Sequence, residues 1–226
     1  RRRAIELHSA EAFVHVRDSS RAAVLHALDL GARGIIIPDV QSVEEARRLV
    51  EYAKYYPLGA RGFAFSRSAK YGFLPELKQI GDYFTATNQR TILMPQCETA
   101  GALEHIEEIA ALDGIDGIFV GPYDLSVALG APARFATPRF AEALDRVIAA
   151  CRASGKLAFI YANTRAYFAQ GYQGAPIARI RPFWSRPFRA CCRRNGTLQK
   201  NAKVRPPRSG NTSIKSGVIR IGRTPR

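Results

Sequence analysis

Two carboxylates with matching local surroundings give the first clue to chemistry. Glu98 closes the apolar run at 91–97 (TILMPQC), and Asp124 follows a second run, 117–123 (GIFVGPY). The two positions are 26 residues apart, about the length of one strand-helix unit in a parallel α/β barrel. In that architecture neighbouring strands end at one mouth, so the two carboxylates would converge. Paired hard oxygen donors with open positions suit Mg²⁺ or Mn²⁺. Taken singly, each has a plainer reading: Glu98 as an acidic residue favoured at a helix start, Asp124 as a turn or cap residue. Their matched placement argues for one shared metal site.

The surrounding pattern must supply strands to carry these groups. A short β-branched and aromatic run at 11–16 (EAFVHV) reads as a strand. The continuous apolar run at 34–38 (GIIIP) is the pattern of a strand buried on both faces. Further strands are expected at 91–97, 117–121 and 157–162 (LAFIYA). Between them lie helical patterns. Ser20 is placed to cap a helix at 21–30, and Ser42 with Glu45 forms a capping box opening a helix to about Tyr55. Helices are also expected at 74–88, 100–111, 138–154 and 164–170, the third of these with Phe140, Leu144, Val147, Ile148 and Cys151 on one side. Five alternations of strand and helix argue for a parallel α/β fold, either barrel or doubly wound sheet. No G-x-G-x-x-G opens a helix after a strand, so a dinucleotide site is not expected. The stretch 57–72 has three glycines, three cations and no clear period, so it reads as a candidate functional loop. Its Arg61, Arg67 and Lys70 could border an anionic substrate or simply be solvated. Tyr71, Phe73, Tyr83 and Phe84 read as packing residues.

Composition sets outer limits. The chain has 226 residues, enough for one sizeable core. No stretch reaches 18 uninterrupted apolar residues, and the opening Arg1-Arg2-Arg3 precedes no signal-like apolar segment. Without an initiator Met, the chain is expected to begin inside a longer one. Four cysteines form no C-x-x-C pair. Cys97 and Cys151 sit in apolar patterns and read as reduced core residues, which favours a cytoplasmic location. The net charge of +15 is unevenly placed. Of the 34 Lys and Arg, 14 lie in 175–226, together with none of the 19 Asp and Glu. Residues 1–174 are therefore nearly balanced.

The ordered set VRDS, LGARGIIIPDV, ARRLVEYAKYYPLGARGF, QCET and IDGIFVGPYDLS resembles the HpcH/HpaI aldolase family. The likeness covers roughly residues 1–174. It implies an incomplete TIM (β/α)₈ barrel, approximately strands 3 to 7, and a class II, metal-dependent pyruvate aldolase. The implied reaction cleaves a 2-keto-3-deoxy (4-hydroxy-2-oxo) acid to pyruvate and an aldehyde. By the same resemblance Glu98 and Asp124 are the metal ligands, for Mg²⁺ or Mn²⁺, with Co²⁺ a further candidate. Gln96 lies beside the pyruvoyl group, and Arg17 touches the oxo acid. The backbone turn Gly121-Pro122-Tyr123 lies against the substrate carboxylate. The chemistry agrees with the residue types. A divalent ion polarises a 2-oxo acid and stabilises its enolate, and a guanidinium grips an oxyanion in a fork. The intact family implies a homo-oligomer and no membrane. A C–C lyase acting on a CoA thioester is the alternative within the same superfamily.

The chain also departs from the family. None of His8, His15, His26 or His105 matches the family's histidine base, whose position is expected to lie upstream of residue 1. His15, inside a strand, reads as a packing residue. Residues 175–226 show no sustained period and are rich in Arg, Pro, Gly and Ser. Two origins compete for this basic irregular tail. One is a nucleic-acid-binding segment, with Phe183, Trp184 and Phe188 interleaved among cations. The other, favoured by the abrupt break near Gly174, is out-of-frame translation or disorder. With the base and an eighth strand lacking, activity is expected to be impaired, and an inactive fragment is the remaining possibility.

Overall fold

A computed structural model of the protein describes residues 12–162, 166–175, 191–194 and 197–198. Five parallel strands follow one another in chain order: β1 (Phe13–His15), β2 (Gly34–Ile37), β3 (Ile92–Cys97), β4 (Gly117–Val120) and β5 (Leu157–Ile160). Their pairing is in step, with Val14 opposite Ile35, Ile36 opposite Met94, Gln96 opposite Phe119, and Phe119 opposite Phe159. A two-residue strand, β6 (Gly174–Ala175), continues the parallel order beside β5. Beyond it β7 (Cys191–Arg194) and β8 (Thr197–Leu198) add antiparallel pairings. Five sequential parallel strands with helical crossovers make a partial (β/α)₈ barrel, as the resemblance implies, and resolve the choice between barrel and doubly wound sheet that the alternation leaves open. Most of the 175–226 segment lies outside the described residues.

Helices return the chain between the strands: α1 (Arg21–Asp29), α2 (Val43–Ala53), α3 (Ile80–Arg90), α4 (Ala100–Glu104), α5 (Ile106–Ala111), α6 (Pro122–Ala128), α7 (Pro138–Ala153) and α8 (Ala166–Gln170). The expected caps form. Ser20 Oγ accepts from Ala23 N–H and Ser42 Oγ from Glu45 N–H. A further cap forms at Thr99, whose Oγ1 accepts from Ala102 N–H. Glu45 reaches back to the Gln41 N–H at 2.9 Å. Two expected helices are divided. The 100–111 helix breaks at His105, whose backbone (φ −106°, ψ 23°) leaves the helical region. The 74–88 helix is a 3₁₀ turn, Pro75–Lys78, followed by α3, with Gln79 extended between them.

Strand alternation sorts the core into two layers. Val16, Ile35, Ile37, Leu93, Ile118, Val120, Ala158 and Ile160 pack outward against α1, α2, α5 and α7. Phe13, Ile36, Met94, Phe119 and Phe159 point the other way and fill the barrel interior. The Phe13 and Phe159 rings stack with centroids 6.5 Å apart. Gly34 makes this possible, because a Cβ there would stand inside the Phe13 ring. One further step along each strand reaches the mouth.

The loop after α2 is built for stability. Arg61 is buried, pairs with Asp29 at 2.9 Å and lies over the Tyr55 ring at 4.7 Å. This corrects the reading of Arg61 as a substrate-bordering or solvated cation; tertiary burial gives it a structural partner. Tyr83 and Phe84 pack around Tyr55 as expected. Tyr71 and Phe73 do not, and Phe73 is 87% exposed. Lys70 and Tyr71 adopt positive φ (46° and 55°), which lifts this segment away from the aromatic cluster. Arg67 and Lys70 are exposed. Among the described residues no helix is long and apolar enough to cross a membrane.

Candidate active site at the barrel mouth

The mouth is assembled from the C-terminal ends of consecutive strands. On β3, Met94 belongs to the interior layer, so Gln96 comes next on that face and Glu98 follows it past the strand end. Both polar side chains are buried, Gln96 at 7% exposure and Glu98 at 8%. Gln96 Nε2 donates to Glu98 Oε2. The other carboxylate oxygen, Glu98 Oε1, accepts from the Asp39 N–H at 2.8 Å. Asp39 follows β2 with φ 56°, and this left-handed turn presents its N–H to the mouth. Gln41 Nε2 holds the Asp39 carboxylate at 2.6 Å.

His15 completes the row. It has the same strand parity as Phe13, and its Nε2 lies 2.8 Å from Gln96 Oε1. The reading of His15 as a packing residue is therefore corrected: it is a polar member of the mouth. The signal was present in the alternation, since Phe13 and His15 share a face. What the sequence lacked was any mark that Gln96, 81 residues away, lies opposite.

Beyond β4 the chain turns at Gly121 into α6, with Pro122 at its first position, where no N–H is required. Gly121 donates to Cys97 O at 3.2 Å, which locks this turn to β3. A Cβ on Gly121 would stand 2.5 Å from both Gln96 Nε2 and Glu98 Oε2. The turn is therefore in direct contact with the polar pair. Pro122 is buried and Tyr123 is exposed, its ring edge against Phe135 at 5.1 Å. Ser126, fully buried, donates to Tyr123 O and accepts from Ala133 N–H, which ties α6 to the following loop.

Asp124 sits in the first turn of α6 and is exposed. Burial pushes the Glu98 carboxyl above its ordinary range. The negative charge of Asp124 pushes in the same direction, and the Asp39 and Gln96 hydrogen bonds oppose both. Asp124 is thus near enough to Glu98 for its charge to be felt, and carboxylate oxygens are donors of the kind a divalent ion takes. Among the described residues no three His, Cys, Asp or Glu come together as a metal cage. Glu98 and Asp124 are the residues that could hold a divalent ion at this mouth.

Arg17 lies two residues past the end of β1, but its side chain is 93% exposed and its Nε donates to Asp18 Oδ2 at 3.0 Å. The structure brings Gln96, Glu98 and Gly121 together, with Asp124 near enough for its charge to be felt. It does not bring the Arg17 guanidinium onto that group. Asp39, which supplies a backbone donor, was missed by sequence reasoning because a main-chain N–H carries no residue-type signal.

Residues 2–178 match the profile of a family described as HpcH/HpaI aldolase/citrate lyase. A 2-keto-3-deoxy-L-rhamnonate aldolase from Salmonella gallinarum (strain 287/91 / NCTC 13346) is 35% identical over 157 residues, which cover 69% of this chain and 57% of that protein. The chain thus spans a little over half the length of the curated relatives it matches. Among solved structures, an HpcH/HpaI aldolase from Desulfitobacterium hafniense DCB-2 superposes with a TM-score of 0.69 at 29% identity, covering 77% of this chain and 68% of that one. An HpcH/HpaI aldolase/citrate lyase family protein from Burkholderia cenocepacia J2315 gives a TM-score of 0.67 at 31% identity, covering 75% of this chain and 68% of that one.

Proposed function

Because the chain belongs to the HpcH/HpaI aldolase/citrate lyase family, we propose that it serves reversible, metal-dependent aldol cleavage of a 4-hydroxy-2-oxo acid. The products are pyruvate and an aldehyde, and a 2-keto-3-deoxy sugar acid is the substrate class. The observation that carries this reading is the buried Gln96–Glu98 pair against the Gly121 turn.

Each residue then has a role. Glu98 and Asp124 hold a divalent ion, Mg²⁺ or Mn²⁺, or Co²⁺. Such an ion would supply the Lewis acidity that polarises the 2-oxo group and lowers the energy of the enolate. Gln96 offers an amide N–H to the oxo acid. Gly121 leaves room for the substrate carboxylate to approach the backbone of Gly121, Pro122 and Tyr123. Arg17, long and exposed, swings from Asp18 to the substrate oxygens, which it can grip in a fork. We place the reaction in the cytoplasm, in a homo-oligomer. The second reading, cleavage of a CoA-thioester C–C bond, is favoured by the citrate lyase half of the family description.

The test is pyruvate release from 2-keto-3-deoxy acids with Mn²⁺ added, run beside Glu98→Ala and beside a CoA-thioester substrate. Metal-dependent pyruvate release that Glu98→Ala abolishes supports the aldolase. Turnover of the thioester alone moves the assignment to the second reading.

A further inference from the structure

An amide side chain is nearly symmetric in shape and opposite in polarity at its two ends. Its oxygen accepts, and its nitrogen donates twice. What Gln96 can recognise therefore depends on which way its neighbours force it to face. Those neighbours are Glu98 on one side and His15 on the other. The Glu98 carboxylate offers lone pairs, and its Oε1 already accepts from the Asp39 N–H at 2.8 Å. Its Oε2 therefore takes a hydrogen from Gln96 Nε2. That leaves Gln96 Oε1 toward His15 Nε2, at 2.8 Å, so the imidazole must be the donor there.

We propose that His15 is a positioning residue that locks the polarity of the Gln96 amide, and thereby sets which substrate atoms the mouth accepts. This deepens the aldolase reading and rests on it. The hydrogen bonds run one way, from His15 to Gln96 to Glu98. His15 engages the acceptor end of the amide and leaves it one lone pair. The donor end keeps a second N–H after serving Glu98. With its orientation fixed, the amide offers this N–H to an oxygen acceptor, such as the carbonyl or carboxylate of a 2-oxo acid. Gln96 is 7% exposed, so removing the His15 donor leaves a buried oxygen without a partner, and the side chain turns to find one. Glu98 then loses its fixed neighbour, and the metal end of the site loosens with it. His15 achieves this from β1 through strand parity alone.

The experiment compares the wild-type chain with His15→Met, which fills similar space without a donor, and His15→Gln, whose amide N–H can reach the same oxygen. Three readouts are taken: the Gln96 side-chain NH₂ resonances, Mn²⁺ affinity by calorimetry, and calorimetric binding of oxalate (a planar dianion resembling the pyruvate enolate) to the Mn²⁺-loaded protein. His15→Met is expected to move the Gln96 resonances and to weaken Mn²⁺ and oxalate binding roughly 10–100-fold, the usual effect of losing a partner behind a metal ligand. His15→Gln is expected to restore both to within about threefold. Unmoved Gln96 resonances in His15→Met overturn the proposal, and so does an equal loss in both variants. If the wild type binds neither Mn²⁺ nor oxalate while the resonances still respond to His15→Met alone, the aldolase reading fails and the His15 lock stands.

Discussion

Lys54 Nζ lies 2.7 Å from Asp116 Oδ2, joining the chain just after α2 to the residue just before β4. The same ammonium donates to Thr91 O at 2.7 Å and Asn88 O at 3.1 Å, and Asp116 also accepts from the Leu93 N–H. These contacts pin the starts of β3 and β4 side by side. The far ends of those strands carry Glu98 and Gly121, so a staple at the floor of the barrel sets the register of its mouth. Burial pulls the Lys54 pKa down, and Asp116 resists that shift. Lys54→Met is expected to cost about 3 kcal/mol in chemical denaturation, the low end for breaking a buried pair, because Asp116 keeps some access to water. A loss within error of zero would show that the staple is dispensable.

Gly121→Ala should damage the site while sparing the fold. The Gly121 backbone, φ −94°, is open to any residue, so the added methyl acts through contact alone. It would meet Gln96 and Glu98 at 2.5 Å. The expected result is a roughly 10–100-fold weaker Mn²⁺ affinity with a thermal midpoint close to wild type. Unchanged Mn²⁺ affinity would place the ion elsewhere.

Acid stability should carry the mark of Asp18. Hydrogen bonds from Ser20 and then Arg17 hold its carboxyl at about 2, against an ordinary 3.8. The folded value lies below the unfolded one. Its contribution is therefore complete above the unfolded value and is lost as pH falls through the folded one. Asp18→Asn should narrow the gap between variant and wild-type denaturation midpoints as pH drops from about 5 to about 2. A gap of constant size would show that Asp18 does not titrate in this way.

The two core thiols should be inert in the native chain. Burial pushes Cys97 up to about 12 and Cys151 up to about 11. At about pH 8 neither forms appreciable thiolate, the species that reacts. Iodoacetamide followed by peptide mapping should leave both unmodified until denaturant is added. Native-state labelling of Cys97 would mean that β3 opens.

The sequence conveyed the parts whose signal is local. The apolar runs at Gly34–Ile37 and Gly117–Val120 became fully buried strands, and Ser20, Ser42 and the one-sided pattern of α7 marked helix starts and faces. The placement of Glu98 past a strand end was legible for the same reason. Roles that depend on a distant partner were not. His15 reads as a packing residue in the sequence because nothing near it announces Gln96. Arg61 reads as bordering substrate or solvated in the sequence because Asp29 and Tyr55 cover it only after folding. Tyr71 and Phe73 look like core residues by type, and a pair of left-handed backbone positions turns them to solvent.

The donor from Asp39 to Glu98 belongs to the main chain. Its side chain can therefore vary without deleting the contact, provided the new residue tolerates φ 56°. Glycine or asparagine would keep it, and proline alone would remove the hydrogen itself. This anchor of the acidic mouth is robust to mutation in a way that Gln96 and Glu98 are not. Drift at position 39 among descendants of this chain would give up the Gln41 contact and keep the hydrogen bond to Glu98, while a backbone-breaking change there would remove that hydrogen bond.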